Sequence, residues 1–131
     1  MALIEEALVT LVTTDVGLQS VGVTTLYPLV IQEDAKLPAI CYQETTTEPG
    51  HTHNGASLHV TVHVQFTIEA DTTPAVKKAA KALRKLLDGY KGTVNDMQIG
   101  GILWENEYDG YSEQSEITTV RQDYQISYHE E

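Results

Sequence analysis

Between residues 58 and 69 apolar and polar side chains alternate without a miss: Leu58, Val60, Val62, Val64, Phe66 and Ile68 against His59, Thr61, His63, Gln65, Thr67 and Glu69. A period of two predicts a long β-strand with one face buried and one polar. Residues 2–13 follow a different rule. Leu3, Ile4, Ala7, Leu8, Leu11 and Val12 recur on one face of a 3.6-residue period, so this stretch reads as an amphipathic helix, with Glu5 and Glu6 suited to its positive end. A second helix is predicted from Thr73, the capping residue, and Pro74, the favoured opener. Its buried stripe is Val76, Ala79, Ala80, Leu83, Leu86 and Leu87, and Asp88-Gly89 ends it.

The remaining elements are shorter. Gly17 and Gly22 mark an irregular connector. Tyr27 to Ile31 reads as a short extended segment that Pro28 confines to an edge or loop, and a turn is expected at residues 34–36. Pro38 opens a strand that runs on through Ala39 to Thr47. Residues 48–54 (Glu48, Pro49, Gly50, His51, Thr52, His53, Asn54) are polar and read as a long hairpin tip, mobile until it meets a neighbour. Two closing strands are expected near residues 97–107, with a bulge or bend at Gly100-Gly101, and near 117–128. In the last of these Val120, Tyr124, Ile126 and Tyr128 share a face, and Gln122 breaks the pattern. The expected fold is α+β and a single domain over residues 1–131. It is an antiparallel sheet of about four to five strands with two helices on one face, in the order α-β-β-β-α-β-β.

Length and composition fit that picture. A chain of 131 residues, 41% apolar and 21% charged, is long enough to bury a core without staples. The one cysteine, Cys41, lies in the apolar run Ala39-Ile40-Cys41-Tyr42 and reads as a buried, inert thiol. No apolar run is long enough to span a bilayer, and the first residues lack the basic start of a secretory signal, so no membrane is expected. A reducing, aqueous compartment, or a particle assembled in one, is implied.

Charge adds the sharpest clue. Nineteen acids against eight bases give −11, which disfavours nucleic-acid binding by phosphate neutralisation. Five of the eight bases (Lys77, Lys78, Lys81, Arg84, Lys85) nevertheless fall within nine residues, on the predicted second helix. Residues 105–116 carry Glu105, Glu107, Asp109, Glu113 and Glu116 with no base among them. Segregated signs of this kind allow copies to pair head to tail, and heterologous contacts close into rings. The two segments are therefore the candidate subunit interface, with solvated surfaces as the plainer alternative.

Catalytic candidates are weak. His59 and His63 share a strand face but lie ~13 Å apart, too far for one metal ion. His51 and His53 would meet only through the fold of the hairpin tip. The acidic stretch lacks the oxygen spacing of a calcium loop. Ser57, Ser112, Ser115 and Ser127 have no nucleophile-elbow context, and no phosphate loop or dinucleotide fingerprint is present. No catalysis, metal or cofactor is expected.

The order of these phrases resembles the phage tail-completion or tail-terminator family of siphophage necks, prophages and gene transfer agents. The matching residues are the N-terminal helix, Leu26-Tyr27-Pro28-Leu29, Leu37-Pro38-Ala39-Ile40-Cys41-Tyr42, the strand from Leu58 to Ile68, Leu86-Leu87-Asp88-Gly89, and the closing Arg121-Gln122-Asp123-Tyr124-Gln125-Ile126-Ser127-Tyr128. The resemblance implies a virion protein without catalysis that forms a homo-oligomeric ring, a hexamer. Such a ring caps the tail tube, ends its polymerisation and offers a docking surface for the head. The implied partners are other copies of itself, the tail tube protein and a head-completion or connector protein, with DNA passing through the lumen unbound. The polar tip at residues 48–54 becomes a contact for the tube or a neighbour. An acidic adaptor or small-ligand-binding domain, dimeric or monomeric, is the alternative from a different class.

Overall fold

The computed structural model describes residues 3–52, 55–114 and 116–129, without the side chains of 48–52 and 55–58. Helices α1 (Ile4–Thr14) and α2 (Val16–Ser20) precede strands β1 (Leu26–Pro28), β2 (Ala39–Thr52) and β3 (Gly55–Ala70). Helix α3 (Thr73–Leu87) leads into β4 (Gly92–Val94), β5 (Met97–Ser112) and β6 (Ile117–His129). All six strands form one sheet in the order β1-β2-β3-β6-β5-β4.

The expected class holds and its details change. The fold is mixed α+β, but among the described residues it has three helices and six strands rather than two and four to five. It is not wholly antiparallel: β1 runs parallel to β2, with Leu26 opposite Ile40. Helix α2 replaces the irregular connector. Asp15 ends α1 and also caps α2, where its Oδ2 accepts from Leu18 N at 2.9 Å. Five residues are too few to display a helical period, so composition alone showed only the glycines. Strand β4 is likewise three residues long and carries no pattern of its own.

The long alternating strand reads as expected. Val62, Val64, Phe66 and Ile68 are at most 1% exposed, and Val60 is buried too. Leu58 lies outside the described side chains. The inward faces of β3 and β6 pack on α3, whose Val76, Ala79, Ala80, Leu83 and Leu87 are buried, while Leu86 is only partly so. Each large aliphatic group so buried stabilises the fold by ~1.5–3 kcal/mol. The cap of α3 is Thr72, one residue ahead of the expected Thr73; its Oγ1 accepts from Ala75 N. In α1 the inward set is Ile4, Ala7, Leu8 and Val12, whereas Leu3 is 54% exposed and precedes the helix.

Two departures concern polar stretches. Residues 48–52, expected in a hairpin tip, continue β2: Pro49 pairs with Val60 and Thr52 with Gly55, with a register shift between Pro49 and His51. His53 and Asn54 lie outside the described residues. Residues 108–112, past the expected end of the strand at 107, continue β5, which stays paired with β6 as far as Ser112 opposite Ile117. Neither stretch alternates in hydropathy, because pairing with a strongly patterned neighbour forms the strand without any face of its own to bury. The expected irregularity at Gly100-Gly101 is present as a register shift between Ile99 and Gly101, and a second follows between Trp104 and Asn106.

Candidate interaction surfaces

Gln122 is fully buried on the inward face of β6. Burying an amide costs free energy unless its hydrogen bonds are met. Here its Nε2 donates to Ala80 O of α3 at 2.9 Å and to Glu107 Oε1 of β5 at 2.7 Å, and its Oε1 accepts from Tyr124 OH at 2.7 Å. Burial pushes the Tyr124 phenol up, with Asp88 and Glu107 adding to the rise and Arg84 opposing it. Tyr124 also meets Phe66 edge-on, with ring centroids 5.4 Å apart. The residue that broke the apolar pattern is thus the polar tie between helix and sheet.

That tie reaches the surface through Arg84. Its guanidinium lies 3.5 Å from Glu107 Oε1 and 4.7 Å over the Trp104 ring. About two turns away on the same flank, Lys77 Nζ donates to both carboxylate oxygens of Asp109, at 2.7 and 2.8 Å. Exposed pairs of this kind contribute only ~0–1 kcal/mol. Four of the predicted interface residues are therefore joined within one chain. Glu105 is also engaged, its Oε1 3.1 Å from His63 Nδ1.

Lys78, Lys81 and Lys85 occupy the other flank of α3, where they line a groove of about 540 Å³ with Asp15, Gly17, Val21, Ala82 and Leu86. Among the described residues none of these three lysines has an ion-pair partner, and neither do Glu113 and Glu116 at the far end of β5.

The sheet face away from the helices is polar and cross-linked. Gln65 Nε2 donates to Tyr108 OH at 2.6 Å and to Asp123 Oδ1 at 3.1 Å, and Thr61 Oγ1 stands 3.4 Å from Ser127 Oγ. Cys41 on this face is buried, and burial pushes its thiol up, as expected of an unreactive cysteine. At its edge Leu29 takes a left-handed backbone (φ 64°), and Leu29 and Val30 are about two-thirds exposed. Sequence reasoning missed the Trp104–Arg84–Glu107–Gln122 chain; its one available signal was the lone glutamine inside an apolar alternation.

The described surfaces thus comprise a hydrogen-bonded polar sheet face, charged helix flanks and exposed aromatic groups. Over residues 6–129 the chain matches the family described as tail completion protein gp17, and it belongs to that family. It is a bacteriophage tail structural protein and a component of the virion. Its fold is similar to that of a chain in a solved structure titled "Virion of native gene transfer agent (GTA) particle". The TM-score is 0.72 at 14% identity, covering 95% of this chain and 93% of that one. A search of curated proteins finds no match.

Proposed function

We propose that this chain is the subunit of a ring, a hexamer, that caps the tail tube, stops its polymerisation and presents the surface on which the head docks. The observation that carries this reading is the family match over residues 6–129, nearly the whole chain. The charge distribution supports it. A subunit with uncompensated bases on one flank of α3 and uncompensated acids at the end of β5 suits heterologous, head-to-tail contacts, and such contacts close into rings. Lys77, Arg84, Glu105, Glu107 and Asp109 would then hold the two surfaces in shape within each subunit, while Lys78, Lys81, Lys85, Glu113 and Glu116 meet a neighbour.

The β2–β3 hairpin supplies the contact to the tail tube or to a neighbour. Glu48 and Pro49 pair with Thr61 and Val60 inside the part of β3 that β6 also covers, and beyond the last described β3–β6 pair, His59 with His129, β2 and β3 stay paired as far as Thr52 opposite Gly55. A net charge of −11 fits a lumen through which DNA slides without adhering. The reading is tested on particles assembled without this chain: tail tubes of uncontrolled length and heads left unjoined are expected, and electron microscopy measures both. Tails of normal length joined to heads would refute it.

A further inference from the structure

Helix α3 sorts its cations by flank. Lys77 and Arg84, seven residues apart, face β5 and find Asp109 and Glu107 there. Lys78 and Lys85, also seven apart, face α2 with Lys81 between them, and among the described residues no carboxylate lies within ion-pair distance of any of the three. Asp15 lines the same groove, with its Oδ2 accepting from Leu18 N in the cap of α2. Between the lysines and α2 the lining is apolar: Val21, Ala82 and Leu86. A groove with an apolar floor and a cationic rim fits an occupant with an apolar body flanked by carboxylates.

The chain itself carries such a piece. At the end of β5, Tyr111 is 61% exposed, and Glu113 and Glu116 follow in the turn to β6 without an ion-pair partner among the described residues. This piece does not serve its own groove. Tyr111 lies beside the first turn of its own α3, around Thr73, Lys77 and Asp109, and the body of the helix separates it from the α2 flank. A contact joining these two surfaces would therefore run between copies.

We propose that the α2–α3 groove of one copy receives the end of β5 of the next, with Tyr111 seated on Val21, Ala82 and Leu86 and with Glu113 and Glu116 paired to Lys78, Lys81 and Lys85. This rests on the ring reading and names its subunit contact. A phosphodiester backbone could also meet three lysines, but it offers nothing apolar to cover Val21 and Leu86, and the chain's net charge of −11 opposes it.

The test uses full-length chains in a Cys41→Ser background. A Leu86→Cys chain is mixed with a Tyr111→Cys chain at high protein concentration under a mild oxidant. A Leu29→Cys chain mixed with Tyr111→Cys serves as the control. The expected result is a heterodimeric disulfide from the first pair and little from the second. Separately, Lys78→Glu, Lys81→Glu and Lys85→Glu together should weaken self-association about tenfold or more at low salt, measured by sedimentation. Adding Glu113→Lys and Glu116→Lys to that chain should restore it. A first-pair yield no higher than the control overturns the proposal. If the wild-type chain still self-associates in that case, the ring reading stands and only this contact falls. If the wild type neither self-associates nor forms rings on tubes, both fall. Retention of a DNA duplex by the wild type that the triple reversal abolishes, without the cross-link, overturns it in favour of nucleic acid.

Discussion

Replacing Gln122 by leucine keeps a side chain of similar size at the buried position but removes the amide that joins α3, β5 and β6. Tyr124 OH then loses its acceptor inside a side chain that is 0% exposed. An orphaned buried hydroxyl costs ~1–3 kcal/mol. Glu107 Oε1 loses a 2.7 Å hydrogen bond but keeps Arg84 at 3.5 Å and some solvent, so its share is smaller, ~1 kcal/mol. Extra apolar burial by leucine offsets part of this, which leaves a destabilisation of ~2–3 kcal/mol. For a chain of this size that lowers Tm by about 10 °C. The decisive measurement is a double-mutant cycle with Tyr124→Phe, followed by denaturant unfolding. Tyr124→Phe alone strands Gln122 Oε1, but in the Gln122→Leu background it removes the orphaned hydroxyl. The double variant should therefore be no less stable than Gln122→Leu alone, with a coupling of ~1–2 kcal/mol between the sites. Strict additivity, or a Gln122→Leu chain with unchanged Tm, would show that the network does not hold the helix to the sheet.

Three further outcomes follow from other parts of the fold. Val62→Asp places an unpaired charge at a site of 0% exposure and should cost several kcal/mol; an unchanged melting temperature would mean the β3 register is wrong. Burial, a hydrogen bond with Glu5 and repulsion from the Glu5 carboxylate raise Glu44 to about 7. The folded chain then binds this proton more tightly than the unfolded one, so the associated stability is complete below pH ~4.5 and is lost as pH rises through about 7. Glu44→Gln should flatten that slope in thermal melts across pH ~4–8, and a wild type whose Tm rises steadily over the range would contradict the assignment. Trp104→Ala removes the ring under Arg84 and should cost ~0.5–2 kcal/mol, less in the Arg84→Met background; equal costs in both would rule out the cation–π contact.

The elements with faces of their own were legible in the sequence. The alternation from Leu58 to Ile68 places valines, phenylalanine and isoleucine on one side of a strand whatever its neighbours are, so burial of Val62 and Phe66 follows from period alone. The apolar stripe and opening Pro74 fixed α3 to within a residue. Residues 108–112 had no such signature, because a strand at the outer half of an edge needs only one patterned neighbour, and that neighbour, β6, lies later in the chain. The parallel pairing of β1 with β2 was hidden for a similar reason: three residues carry no direction, and the partner across the turn at residues 33–34 decides it. The charge segments were visible as compositions, but composition has no flanks. Only the placement of α3 between β5 and α2 divides its five cations into two that meet their own carboxylates and three that do not. Hydropathy also marks Gln122 as an exception without saying whether it turns outward or stays in. It stays because Ala80 O, Glu107 and Tyr124, drawn from α3, β5 and β6, converge on one buried point and satisfy its amide.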